Sequence, residues 1–219
     1  MKILVTPTSM RPDKPSAALE KLQNFADEIV FNPYGRPLTS AELKVLLPCC
    51  DGYIAGLDYV DAEAMAACDR LRVISRYGAG VDRVDIAAAR ARGIVLCNTP
   101  GANAQAVADL TFGLLLAVAR KIPMLDASVR AGEWIRSTGV ELYGKTMGIL
   151  GLGAIGRAVA KRASGFSMDV LAYDPYLDEA YAAAHNISPA TIDEIAAKAD
   201  GDHCCDYEKT PHLPPKICY

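Results

Sequence analysis

The stretch TMGILGLGAIGRAVAKRA, from Thr146 to Ala163, carries the reading of the fold. A short apolar run leads into Gly151, Gly153 and Gly156 at G-x-G-x-x-G spacing, and an alanine-rich run with helical period leads out. In a dinucleotide-binding turn each glycine has its own reason. Gly151 allows the tight turn, Gly153 lets the backbone approach a pyrophosphate, and Gly156 lets the helix pack close to the strand. The start of the helix adds free N–H groups and positive potential for the phosphates. By itself the spacing is weak, because an ordinary strand-to-helix turn uses glycine for steric reasons alone. The context strengthens it: Asp174 stands 18 residues past Gly156 and closes a second strand-like run, VLAYD. A carboxylate there meets the ribose hydroxyls, and it favours NAD over NADP because a 2′-phosphate would face like charge.

Upstream, short apolar or β-branched runs alternate with alanine-rich helical ones. Strands are expected at 2–5, 28–31, 52–55, 72–75 and 94–97, and helices near 16–26, 40–47, 62–68 and 85–92. Thr39 with Glu42 forms a capping box for the second helix, and Gly93 stands at a C′ position after the fourth. Strand, helix, strand at this pace means right-handed βαβ units on a parallel sheet. Residues 1–98 therefore read as one small α/β domain.

Asn98-Thr99-Pro100-Gly101 is a turn cluster. Beyond it a long apolar helix covers about 104–120 and is ended or kinked by Pro123. Then come a second helical piece, the strand 146–150, the glycine loop, a helix over 154–164 and a strand over 169–174. Helices near 178–184 and 192–198 follow, the last capped by Thr191 and Glu194. Residues 99–200 thus read as a second parallel-sheet domain. The segment 201–219, GDHCCDYEKTPHLPPKICY, has no period and three prolines. No third strand is visible in it. It reads as an irregular, non-native tail, which leaves the second domain incomplete and the edge of strand 146–150 open.

Composition narrows the class. Of 219 residues, 51% are hydrophobic and 22% charged, as in a soluble globular protein. A net charge of −3 offers no basic face for nucleic acid. The longest apolar run, Leu110 to Ala119, lies between Asp109 and Arg120 and falls short of a membrane span. The run from Met1 is broken by Pro7, too soon for a signal peptide. Seven cysteines, an odd number, suit reduced thiols in the cytoplasm. No metal site is expected: His203, Cys204, Cys205, His212 and Cys218 lack the C-x2-C spacing that lets two thiolates converge on one ion. His185, at an expected helix end, reads as a surface residue.

Two longer stretches carry a family resemblance. RYGAGVDRVDIAAARARGIVLCNTPGANAQAVADLTFGLLLAVAR (76–120) and LYGKTMGILGLGAIGRAVA (142–160) resemble the D-isomer-specific 2-hydroxyacid dehydrogenases, above all the D-3-phosphoglycerate dehydrogenase-like branch. The specific motifs are R-x-G-x-G-x-D, the N-T-P-x-x-N-A turn, and the glycine loop with its following acid. The likeness covers nearly everything from Met1 to Asp200.

The resemblance implies two Rossmann-like domains, substrate-binding over 1–98 and NAD-binding over 99–200, with the active site in a cleft between them, in a homodimer. It implies hydride transfer between NAD and a small 2-hydroxy or 2-oxo acid, D-3-phosphoglycerate being the first candidate. Substrate would meet Arg76, the amides of Gly78, Ala79 and Gly80, and Asn103. Glycines suit that task, since they bring N–H groups to an anion without side-chain obstruction. An ordinary strand-exit loop is the other reading of Arg76–Gly80. Cofactor would meet Ala79, Val107, the three glycines of the loop, Ala154 and Ile155 at the pyrophosphate, and Asp174 at the ribose.

The departure from the family is as informative. Its catalytic arginine, glutamate and histidine come from later motifs, and the first two have no counterpart here. Thr210-Pro211-His212 spells the third, far too soon after the glycine loop, and reads as coincidence. No catalytic residue is therefore assigned, and the chain is expected to bind without turning over; a frameshift or early end near Asp200 would produce such a text. Two alternatives stay open. One is a non-catalytic NAD-binding module or regulator. The other is a methyltransferase using the loop for S-adenosylmethionine, against which the RYGAG loop argues.

Overall fold

A computed structural model describes residues 1–204, the last four by their backbone. The chain forms two compact units, one over Met1–Ala102 and one beginning at Asn103. The turn Asn98–Gly101, which the sequence places at the head of the second domain, stays with the first. Thr99 donates its N–H to the Gly78 carbonyl at 3.0 Å, and Asn98 Nδ2 donates to the Ala79 carbonyl at 2.6 Å.

The first unit runs β1 (Lys2–Val5), α1 (Ala17–Phe25), β2 (Glu28–Phe31), α2 (Ser40–Leu46), β3 (Gly52–Ala55), α3 (Ala62–Ala66), β4 (Val73–Arg76), α4 (Ile86–Ala91) and β5 (Val95–Cys97). All neighbours are parallel, in the order β2-β1-β3-β4-β5. Each helix begins where a short oxygen-bearing side chain can take an orphan amide. Ser16, Thr39, Asp61 and Asp85 accept from the N–H groups of Leu19, Glu42, Ala64 and Ala88. Thr39 and Glu42 form the reciprocal box that the sequence indicates. Gly93 follows α4 at φ +68°, a left-handed turn that glycine takes without a Cβ penalty. Leu4, Tyr53 and Ile74 stand in register across β1, β3 and β4 and are fully buried with Leu43, Leu47 and Met65.

The second unit runs α5 (Ala104–Ala119), α6 (Ile122–Arg130), β6 (Thr146–Leu150), α7 (Ala154–Gly165), β7 (Asp169–Tyr173), α8 (Glu179–Ala184), β8 (Ile187–Pro189), α9 (Ile192–Lys198) and β9 (Gly201–Cys204). Its parallel sheet has the order β8-β7-β6-β9. Met147, Ile149, Val159 and Ala172 form its centre with Ala108, Phe112 and Leu115 of α5. Pro123 does not end α5. The chain turns at Lys121, φ +54°, and the proline sits in the first turn of α6, where its missing N–H costs nothing.

Two strands correct the sequence reading. β8 has three residues and closes on a proline, too short to show a period. β9 lies inside the segment read as an irregular tail. It pairs with β6 from Met147↔Gly201 to Leu150↔Cys204. Asp200 fixes that register: its N–H donates to the Thr146 carbonyl at 2.9 Å, and its carboxylate accepts from the Thr146 N–H at 3.0 Å. The β6 edge is therefore paired, not open. The sheet still holds four strands among the described residues, against about six in a full doubly wound sheet. The rest of the expected irregular tail, residues 205–219 with Cys205, His212 and Cys218, lies outside the described residues. No helix among the described residues is long and apolar enough to cross a membrane.

Candidate functional site

In the second unit the loop after β6 has the geometry that its spacing indicates. Gly151 adopts φ +98° and donates its N–H to the Tyr173 carbonyl at 2.7 Å. A Cβ on Gly156 would lie 2.1 Å from the Gly151 carbonyl oxygen, so only glycine lets α7 seat against the turn. A Cβ on Gly153 would meet no atom within 4 Å. That glycine faces open space, and its purpose is not internal packing. It caps α7 without a side chain, and the first helical turn leaves the amides of Ala154 and Ile155 with no intrahelical acceptor. The residues present fit a dinucleotide pyrophosphate: open approach, unspent donors, and the positive end of a 12-residue helix.

Asp174 is half-buried at the end of β7. One of its oxygens accepts from the Leu152 N–H at 2.8 Å, the other from the Tyr176 N–H at 2.9 Å. Each carboxylate oxygen has a second lone pair, so ribose hydroxyls remain acceptable donors. Strand order adds what sequence alone does not show. Counted from β6, the order 3-2-1-4 reverses between β6 and β9, and dinucleotides bind at the carboxyl ends of the strands at such a reversal. The glycine loop leaves β6 at that point.

Asn103 and Val107 fall one turn apart at the start of α5, Asn103 exposed and Val107 half-buried. Arg162 of α7 ties this end of α5 down. Its Nε donates to Asp109 Oδ1 at 2.7 Å and its Nη1 to Gln105 Oε1 at 3.0 Å. The first turn of α5 is thereby fixed to the helix that begins at the glycine loop.

In the first unit, Arg76 to Gly80 leave the end of β4. Arg76 is buried, and its guanidinium donates to the Tyr77 carbonyl. Gly78 has φ +147°, and a Cβ there would lie 2.7 Å from Arg76 Nη1. Its N–H donates to the Arg76 carbonyl at 2.9 Å. Gly78 is thus a conformational residue here, and its amide is not available to a substrate. The carbonyls of Gly78 and Ala79 are tied to Thr99 and Asn98. The amides of Ala79 and Gly80 have no partner among the described residues. Asp82 Oδ1 lies 2.8 Å from where a Gly80 Cβ would stand, so a carboxylate borders this pair.

Sequence reasoning passed over Arg157 and Asp178. Arg157 follows the third glycine directly, and Asp178 caps α8 through the Tyr181 N–H at 3.0 Å. The N-cap pattern marks Asp178; nothing in the sequence shows that the two residues meet. His185 is exposed, with Nδ1 2.8 Å from the Tyr181 carbonyl.

A doubly wound sheet with a fitted glycine loop defines a dinucleotide-binding domain. The family model for the D-isomer specific 2-hydroxyacid dehydrogenase NAD binding domain matches residues 112–205. The chain is similar to the D-isomer specific 2-hydroxyacid dehydrogenases over this stretch, and NAD is the cofactor of the matched domain. It is 46% identical over 143 residues to the D-3-phosphoglycerate dehydrogenase of Mycobacterium bovis, covering 64% of this chain and 27% of that one. With the D-3-phosphoglycerate dehydrogenase of Rattus norvegicus it shares 42% identity over 182 residues, 81% of this chain and 33% of that one. The crystal structure of the TT0316 protein from Thermus thermophilus superposes with a TM-score of 0.79 at 36% identity, over 93% of this chain and 64% of that chain. The chain thus spans about a third or less of the curated relatives it matches.

Proposed function

We propose that this chain carries the NAD-binding and acid-binding elements of a 2-hydroxyacid dehydrogenase, with D-3-phosphoglycerate the first substrate to test. When bound, NAD supplies the hydride acceptor for oxidation of a 2-hydroxy acid. The chain's own residues bind and orient. The amides at the start of α7 receive the pyrophosphate, Gly153 gives it room, and Asp174 accepts from the ribose and repels a 2′-phosphate. Arg76, through the loop it underlies, presents the Ala79 and Gly80 amides to a substrate carboxylate. Asn103 is assigned to substrate, and Val107 and Ala79 to the nicotinamide end. The observation that carries the reading is the open face of Gly153 above a helix start whose amides are unspent.

Residues 1–200 offer no counterpart of the family's catalytic arginine, glutamate and histidine, so the proposal gives this stretch binding and not proton transfer. A non-catalytic NAD-binding module is the corresponding second reading. Fluorescence titration with NADH and NADPH tests both. The parent chain should prefer NADH, and Asp174→Ala should erase most of that preference. Equal affinities in the parent would remove the role given to Asp174. Steady NADH formation from D-3-phosphoglycerate, lost on Gly153→Val, would overturn the binding-only assignment. Sedimentation of the same sample reads the proposed homodimer, which rests on the exposed stripe Leu110, Leu114 and Val118 of α5, while Leu115 faces the core. A monomer at micromolar concentration would sink it.

A further inference from the structure

A glycine-rich loop has few internal constraints, so something must hold its backbone in one conformation. Leu152, between Gly151 and Gly153, is held at both of its peptide groups. Its N–H donates to Asp174 at 2.8 Å, and its carbonyl accepts from Arg157 Nε at 3.1 Å. Arg157 is itself fixed. Its Nη2 donates to Asp178 Oδ2 at 3.0 Å, and its guanidinium carbon lies 4.0 Å from the centre of the Tyr181 ring. Asp178 caps α8, and the Tyr181 ring stacks on His185 at 3.9 Å. The element after β7 thus reaches back, through one guanidinium, to the loop after β6. The planar fork matters: Nε serves a carbonyl, Nη2 a carboxylate, and the face rests on an aromatic ring. A lysine ammonium is a point charge and cannot meet all three.

We propose that Arg157 is a positioning residue for the cofactor: it holds the Leu152 carbonyl so that Gly151–Gly153 keeps the conformation that receives the pyrophosphate. The inference rests on the dinucleotide reading of the loop. It differs from a direct role, in which the guanidinium would lend its charge to the phosphates.

The test compares the full chain with Arg157→Lys and Arg157→Leu. Amide hydrogen exchange is measured without ligand, and NADH affinity is measured over a range of salt concentrations. Exchange at Leu152, Gly153 and Ala154 should quicken in both variants, with β6 and β7 unchanged. The NADH Kd should rise about tenfold in both, the scale of one lost hydrogen bond in the free energy of loop closure. The slope of log Kd against log salt should stay that of the parent. Lysine that restores parental affinity, or a salt slope that flattens in Arg157→Leu, would show a direct phosphate contact and overturn the proposal. Exchange that quickens evenly across the second unit would reduce Arg157 to a general support and overturn it too. If the parent chain binds no NADH while the loop amides still respond to Arg157→Lys, the dinucleotide reading fails and the holding of the loop stands.

Discussion

Each unit carries a doubly wound sheet with one reversal of strand order, and the two reversals have opposite contents. In the first unit the order reverses between β1 and β3; in the second, between β6 and β9. At the first, the chain fills the place with its own carboxylate. Asp58 is buried, and its Oδ1 accepts from the Leu38 N–H at 2.6 Å. Its Oδ2 accepts from the Tyr53 hydroxyl at 2.7 Å and the Gly56 N–H at 3.0 Å, and bonds the Thr6 hydroxyl. Thr6 follows β1 and Gly56 follows β3, so one side chain satisfies the amides and hydroxyls at the reversal. At the second, Gly153 faces open space and the helix amides are left for a ligand. The same topology yields an internally satisfied anchor in one case and a receptive site in the other. The difference lies in whether a buried carboxylate or a bare glycine stands at the crossover.

Asp58→Ala should break the comparison most severely. It strands the Leu38 amide and the Tyr53 hydroxyl in the interior and leaves the Gly56 amide only the Thr6 hydroxyl, at 2.9 Å, and each unsatisfied buried group costs about 1–3 kcal/mol. Loss of at least about 3 kcal/mol in the first unit, read by denaturant unfolding, is expected. Tyr53 would report the change as well. Burial and then the nearby Asp58 charge hold its phenol well above the usual range, and removal of Asp58 should let it titrate at lower pH. Unchanged stability would mean that the anchor is dispensable.

The next contrast lies inside the glycine loop. Gly156→Ala drives a Cβ into the Gly151 carbonyl, backbone against backbone, and should cost about 1–3 kcal/mol in the second unit. Gly153→Ala meets nothing, and its φ of −77° is open to any residue. There the gain from a less flexible unfolded chain opposes glycine's advantage over alanine at an N-cap, so stability should move by less than about 0.5 kcal/mol. NADH affinity should nevertheless fall. Equal stability losses for the two variants would show that Gly153 is a packing glycine and not a ligand-facing one.

The smallest expected effect is a titration. Arg36 pairs with Glu42, and the Thr39 amide adds to it, holding the Glu42 carboxyl at about 2 against an ordinary 4.5. Because the folded value is the lower one, the contribution of Glu42 is whole above about pH 4.5 and is lost as pH falls through about 2. The capping box precedes α2 directly after Leu38, the residue whose amide serves Asp58. Exchange at the Leu38 amide should therefore rise first in that acid window. An Arg36→Ala variant should move the Glu42 midpoint upward by NMR; an unmoved midpoint would assign the shift to Thr39 alone.

Local chemistry made much of this protein legible before any coordinates. Capping residues, the alternation of strands and helices, and the three glycines with Asp174 are short-range signals. Each acts within one turn or one βαβ unit, and the structure places β6, α7 and β7 within a residue of their expected ends. β8 and β9 escaped because three or four residues carry no readable period; they are strands by pairing, through contacts such as Asp200 with Thr146. Gly78 and Gly153 look alike in the sequence, yet one accommodates a buried guanidinium and the other faces open space. Nothing in the sequence around Asp58 marks it, yet it is an interior anchor. The sequence by itself determined which segments could form parallel α/β units and where a dinucleotide loop could stand. Only the tertiary structure decided the strand order, the contents of each crossover, and the tie from Arg157 to Leu152. Those depend on groups far apart in the chain, and what desolvates or satisfies a polar group is set by the neighbours that folding brings to it.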